Sequence, residues 1–450
     1  MKGSMCKRTF LKLLAWLGMA PFARLSGEEK AASTELRNWA RNLRYGTDKL
    51  FRPKSLAEVR KFVSEQPRLR ALGTRHCFNR IADSSHHLIS LRSMVRPLQC
   101  DAKKRTVTVE AGISYGQLSP WLTEQGFALH NLASLPHISV AGACATGTHG
   151  SGVRSGNLPT AVSAMEIVTA DGALLELSRE KNADVFHGAV VHLGALGVVT
   201  KLTLDIEPKY EARQYVYQHM PLSQAYENFD AIMSSGYSVS FFTGWKEMEE
   251  VWIKLREPSN FTPKSEFFGA KLAKKHLHPL AELSAENCTR QLGVPGPWYE
   301  RLPHFRMGFT PSTGDELHAE YFVPLRNAVE ALQAMARMSD QIRPHLFISE
   351  LRTVAADKLW MSPCYDRASL AIHFTFKPDW KPVSRLLPKI ERELAPFGAR
   401  PHWGKLFTIE PTVLQSRYPR LPDFKQLVAK YDPKGKFRNE FLARNLYGKV

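Results

Sequence analysis

The chain has 450 residues, 44% of them hydrophobic, and its 61 Lys and Arg outweigh 43 Asp and Glu to give a formal net charge of +18. That length allows two ordinary domains with sizeable cores. The basic residues, among them Lys271, Lys274, Lys275 and His276, are scattered and accompanied by no zinc-finger or helix-turn-helix pattern, which argues against a nucleic-acid binder. Cys6, Cys77, Cys100, Cys144, Cys288 and Cys364 form no C-x-x-C pair, so neither a disulfide framework nor a metal site is expected.

At the N-terminus, the basic stretch Lys7 to Lys12 precedes the apolar run Leu13 to Ala20. This is a signal-peptide layout, too short for a stable membrane span, and its Lys7-Arg8 pair is a variant of the twin-arginine signal. Residues 1–33 are therefore expected to direct export to the periplasm, with a cytoplasmic location as the alternative. Ser55 and Glu58 predict a capping box before a helix starting around Val59. Leu69 to Leu72 and His87 to Leu91 read as strands, placing Gly73 to Asn79 in the turn between them.

Further along, Thr106 to Glu110 alternates as a strand, and Ser114 and Gln117 box the start of a helix running through Trp121. Ser134 to Val153 crowds glycines and hydroxyls into a segment expected to be irregular. Gly142, Gly147, Gly150 and Gly152 permit close backbone approach, and Thr146, Thr148 and Ser151 add hydrogen bonds, a pattern suited to a diphosphate. Ile167 to Leu177 predicts a hairpin turning on Asp171-Gly172. After Leu193 to Thr200 a boundary is set near Pro208, beyond which strands and helices alternate.

In that second half, Glu350 and Arg352 are two apart and share one face of a strand. The apolar residues that follow suggest burial, where an ion pair is costly unless it acts on something. His373 lies on another alternating strand, and Pro401 to Lys405 places a cation beside a glycine turn.

Taken together, the Gly73 to Asn79 loop, the Ser134 to Val153 segment, Asn38 to Ala40, Ala133 to Ser139, Pro295 to Trp298, Ser349 to Asp357, His373 to Thr375, Pro401 to Lys405 and Asp432 to Phe437 resemble the vanillyl-alcohol oxidase family of flavoproteins. The likeness is to its branch of alditol and sugar-1,4-lactone oxidases, and it is collinear from about Asn38 onward. The resemblance implies an α+β, two-domain FAD-linked oxidase fold. It would comprise a PCMH-type FAD-binding domain over 34–208 and a substrate domain over 209–450, whose segment from about 400 contributes to the flavin site.

Carried over residue by residue, the resemblance places FAD against Ala71, Leu72, Gly73, Thr74, Arg75, His76, Cys77, Ser134, Ser139, Gly142, Thr146, Gly147, Thr148, His149, Val198, Thr375 and His402. His76 would be the covalent attachment point. Arg75 and Cys77 depart from the usual Gly-x-Gly-His-Ser pattern. Ser134, Glu350, Arg352, His373 and Lys405 would surround the substrate, with His373 as general base and Lys405 stabilising the developing alkoxide. The implied reaction oxidises the terminal primary alcohol of an alditol such as xylitol or sorbitol, with oxygen or another electron acceptor. An aldono-1,4-lactone substrate is the alternative, and a flavin-binding protein without turnover is the alternative of another class, against which the intact acid/base set argues.

Overall fold

The computed structural model describes residues 35–308 and 315–448; the expected targeting segment lies outside them. Among the described residues, no helix is long and apolar enough to cross a membrane.

The first strands are short. Leu50–Phe51, Leu88–Ile89 and Arg70–Ala71 form a parallel three-stranded sheet in that order. The ladder is narrower than the apolar runs suggested, because the Leu69 N–H bonds the Lys436 carbonyl at 3.1 Å instead of a neighbouring strand. Ser55 caps the helix Leu56–Glu65, but the other half of the expected box is not made: Glu58 accepts from the Lys54 N–H at 2.8 Å. At the helix Tyr115–Glu124 both halves are present.

A five-stranded antiparallel sheet follows, in the order Pro97–Asp101, Thr106–Glu110, Val198–Asp205, Val162–Val168, Leu174–Ser178. Its last hairpin turns as expected, with Asp171 accepting from the Thr169 hydroxyl at 2.7 Å and the Ala173 N–H at 3.1 Å. One segment differs from expectation. Val140–Ala145, inside the supposedly irregular glycine-rich stretch, is a helix. Its alanines favour that state, Val140, Ala143 and Cys144 are buried, and the chain leaves the helix at Thr146 and turns at Gly147, at φ 72°.

The chain passes to a larger sheet between Asp205 and Glu211. Its central strands run Glu211–Met220, Met248–Arg256, Ser238–Thr243, Leu346–Val354, Ser369–Phe376, Leu317–Pro324 and Arg400–Pro401, each antiparallel to the next. The helices Ala328–Arg337 and Trp380–Leu394 pack against the Leu317–Pro324 strand. The second of these buries Val383, Leu386, Leu387, Ile390 and Leu394, a helical-period stripe that matches one covered face.

From Leu36 onward the chain forms one compact unit. The glycine-rich segment is hydrogen-bonded directly to the large sheet, since the Gly152 N–H donates to the Thr353 carbonyl at 2.9 Å and the Ala355 N–H to the Ser155 carbonyl at 2.9 Å. Backbone pairing therefore fixes the loops of the first half against the strand that carries Glu350 and Arg352.

Candidate active site

A cavity of about 370 Å³ lies where the loops meet the large sheet. Its wall includes Ala71, Leu72, Gly73, Thr74, Arg75, His76, Cys77, Ser134, Ser139, Gly142, Thr146, Thr148, His149 and Val198 from the first half, and Glu350, Arg352, His373, Thr375, His402 and Lys405 from the second. Gly147 is the one residue of the expected set not on that wall. Its positive φ serves the turn, and a Cβ there would stand 3.1 Å from the Pro363 ring.

One end of the cavity is built from bare backbone. A Cβ on Gly73 or Gly142 would stand 2.8 or 2.7 Å from the Ser139 hydroxyl oxygen, so with glycine there the Ser139 side chain keeps its place between the two. Arg75 occupies the left-handed region at φ 68°, the conformation a glycine would adopt without cost. Its guanidinium bonds the Arg37 carbonyl at 3.1 Å.

The next residue, His76, stacks on Trp39 with ring centroids 5.2 Å apart, and its Nδ1 lies 3.1 Å from the Thr74 hydroxyl. Burial, and next the Lys405 charge, push its pKa down to about 3, so at neutral pH the imidazole is an uncharged nucleophile. Burial raises the Cys77 thiol to about 11, which keeps it protonated and unreactive. The loop is tied to the Lys405 turn: the Phe78 N–H donates to the Gly404 carbonyl at 2.7 Å, and the Asn79 amide to the Trp403 and Lys405 carbonyls at 2.8 and 2.6 Å.

The other end is one face of the large sheet. Strand register aligns Phe242 with Glu350, Glu350 with His373, and His373 with Glu320. One row along, Ile348, Thr375 and His318 are aligned, and the His402 N–H bonds the Glu320 carbonyl at 2.9 Å.

The charges on this face are almost sealed from water and paired. Arg352 donates to Glu320 at 2.7 Å and to the Ser134 hydroxyl at 3.3 Å, and its Nε lies 3.5 Å from Glu350. Burial works to raise the Glu350 carboxyl, but Arg352 and then His304 outweigh it and hold it well below the ordinary range. Glu320 is likewise held low against burial, by His149 and Arg352. Burial lowers His373 well below its ordinary value, reinforced by Lys405. It also brings Lys405 down to about 8.

Sequence reasoning missed four residues on this wall: His304, Glu316, His318 and Glu320. Glu320 bridges Arg352 and His149, the latter at 3.1 Å. His318 Nδ1 lies 2.7 Å from Lys405 Nζ and 3.2 Å from His373 Nε2. His304 Nε2 donates to Glu350 at 2.7 Å, and its backbone N–H bonds the Ser134 carbonyl at 3.2 Å. Behind it the fully buried Lys254 donates to the Leu302 and Pro303 carbonyls. The only sequence cue to Glu320 and His318 was their spacing of two on an apolar strand, the cue that exposed Glu350 and Arg352.

Comparison with known proteins bears directly on this cavity. The family model of the FAD binding domain matches residues 47–178, and that of D-arabinono-1,4-lactone oxidase matches 315–445. The chain is 44% identical over 421 residues to the alditol oxidase of a Streptomyces species, covering 92% of this chain and all (100%) of that protein. It is 28% identical over 442 residues to the L-gulonolactone oxidase of Mus musculus, covering 92% and 98%.

Among solved structures, a solvent-stable cholesterol oxidase superposes with a TM-score of 0.75 at 16% identity, covering 92% of this chain and 97% of that one. A carbohydrate oxidase from Microdochium nivale superposes at 0.69 and 15%, covering 89% and 92%. These two share the fold. The close glycine backbone among the loops and the acid/base face on the sheet fit a flavin dinucleotide and its substrate. The chain belongs to the alditol oxidase and sugar-1,4-lactone oxidase family of FAD-dependent oxidoreductases.

Proposed function

We propose that the protein oxidises the terminal primary alcohol of an open-chain alditol, of the xylitol or sorbitol kind, to the aldose, with molecular oxygen reoxidising the flavin to give hydrogen peroxide. The observation that carries this reading is the convergence of Ser134, Glu350, Arg352, His373 and Lys405 on one cavity wall. A base, a cation and three hydroxyl-binding groups suit a substrate with many hydroxyls and no charge.

Bound FAD supplies the hydride acceptor, and the chain's residues do the rest. His373, kept neutral by burial and Lys405, is free to take the hydroxyl proton. Lys405, an ammonium below pH about 8, stabilises the oxygen as its charge develops. Glu350 and Arg352, both ionised and fixed by their partners, accept and donate hydrogen bonds to the remaining hydroxyls and set which carbon faces the flavin.

His76 carries the covalent tether in this reading. Its neutral imidazole, held by the Trp39 ring and the Thr74 hydroxyl, supports attachment to the flavin there. The basic-then-apolar layout of residues 7–20 supports export of the enzyme, which cell fractionation tests.

A second reading, oxidation of an aldono-1,4-lactone, is favoured by the match over residues 315–445. Anaerobic mixing of the yellow protein with xylitol, sorbitol and a five-membered sugar lactone separates the two. Bleaching by a polyol is expected, followed by return of colour with peroxide when air is admitted. Bleaching by the lactone alone transfers the protein to the second reading, and bleaching without recovery in air removes oxygen as acceptor.

A further inference from the structure

His373 needs somewhere to send the proton it takes, and its neighbours form a continuous line toward water. His373 Nε2 lies 3.2 Å from His318 Nδ1, and His318 Nε2 lies 2.9 Å from a Glu316 carboxylate oxygen. The two imidazoles stand perpendicular, at 89°. Phe78 stacks on the His318 ring at 4.1 Å and fixes its plane. The Glu316 side chain is 17% exposed, at the edge of the otherwise sealed face.

We propose that His318 and Glu316 are the exit path for the substrate proton, a reading that rests on the alcohol oxidation above. Donor accounting sets the direction. An ammonium only donates and a carboxylate only accepts. Lys405 at 2.7 Å and Glu316 at 2.9 Å therefore leave His318 with its hydrogen on Nε2 and its lone pair on Nδ1. His373 then donates through Nε2 and keeps the Nδ1 lone pair for the substrate hydroxyl.

As the substrate C–H bond breaks and its electron pair passes to FAD, the C=O bond forms. The O–H proton moves to His373 Nδ1; as Lys405 turns its N–H from His318 Nδ1 to the substrate oxygen, the freed lone pair takes the His373 Nε2 proton, and the His318 Nε2 proton passes to Glu316. The alcohol is oxidised, FAD is reduced, and the proton passes from the half-buried Glu316 carboxyl to water. Reoxidation by oxygen consumes one proton, so the return path restores both rings.

The electrostatics demand a concerted transfer. Burial lowers the His318 pKa most of all, Lys405 and then His76 also disfavour its cation, and Glu320 and Glu350 oppose them. Passage through the ring without a standing cation avoids that cost. Glu316 suits the far end, because burial raises its carboxyl against the pull of Lys405 and His373.

The test uses the flavin-loaded full chain, mixed anaerobically with xylitol in the presence of a pH-indicator dye. Glu316→Gln keeps an oxygen for the His318 N–H but cannot take the proton. Bleaching roughly tenfold slower than wild type is expected, with proton release lagging behind it and the acid limb of the pH profile lost; Glu316→Asp restores that limb. Imidazole ¹⁵N resonances of the flavin-loaded protein should show His318 hydrogenated at Nε2. Wild-type bleaching and pH dependence in Glu316→Gln, or an Nδ1–H tautomer, overturns the path and leaves alcohol oxidation standing. A wild-type protein that no polyol bleaches overturns both.

Discussion

The flavin cradle and the substrate face are built by opposite means. The cradle uses consecutive residues, 71–77 and 139–148, and much of what it offers is backbone: Gly73 and Gly142 close on Ser139, where any Cβ would intrude. The substrate face draws Phe242, Glu350, His373 and Glu320 from four strands and aligns them by register. Its charges are buried and partnered, Glu320 by Arg352 at 2.7 Å and Glu350 by the same Arg352 and by a hydrogen bond from the neutral His304 imidazole at 2.7 Å. A cradle of backbone tolerates side-chain exchange, which lets Arg75 and Cys77 stand where the resemblance leads one to expect Gly and Ser. A network of mutually neutralising charges does not, because each lost partner strands another.

The largest effect is expected at the reacting end. His373→Ala or Lys405→Met should lower turnover by roughly 10²–10⁴-fold, the usual range for a positioned acid or base, while flavin absorbance per protein stays constant. Loss of the flavin together with the activity would mean the two regions are not separable. Lys405 also sets a pH limb. Its ammonium is the active form and its pKa is pushed down to about 8 by burial, so kcat/KM for a polyol is high below that pH and falls above it. A profile flat through pH 9 removes the cation from the mechanism.

Next in size is Glu320→Ala. It would leave Arg352, 7% exposed, with only the more distant Glu350 at 3.5 Å and would strip His149 of its partner, and breaking a buried pair costs about 3–5 kcal/mol. Urea unfolding measures it, and Glu320→Gln, which keeps an acceptor oxygen, should lose less. A cost under about 1 kcal/mol would show that the face is wet and that its charges do not depend on one another.

The same contrast explains what could be read from the chain. The His76 loop, the hairpin at Asp171-Gly172 and the Ser114–Gln117 box are local, and local patterns survive in sequence. Glu350 and Arg352 were legible as a pair because both lie on one strand. Their partners Glu320 and His304 were not, since a register shift of one residue would turn Glu320 to the other face, and register is set by strands far apart in the chain. The Val140–Ala145 helix was missed for another reason: Gly142 was weighed as a turn former, whereas its alanine neighbours and the buried Val140 and Cys144 decided the conformation.

Two variants probe the cradle, and both are expected to be mild for the fold. His76→Ala should release FAD to acid precipitation, whereas wild-type protein should precipitate yellow; flavin still attached to the variant moves the tether elsewhere. Arg75→Gly should have the smallest effect. A non-glycine residue in the left-handed region is strained by about 1–2 kcal/mol, and Arg75 sits there at φ 68°. Glycine relieves that strain but adds freedom to the unfolded chain, at a cost of about 0.5–1 kcal/mol, and forfeits the bond to the Arg37 carbonyl. The net is a gain of roughly 0.5 kcal/mol or nothing, read from urea unfolding of the flavin-loaded protein. If the variant is instead destabilised by more than about 1 kcal/mol and loses flavin, the guanidinium is holding the diphosphate. The cradle would then depend on a charged side chain, as the substrate face does.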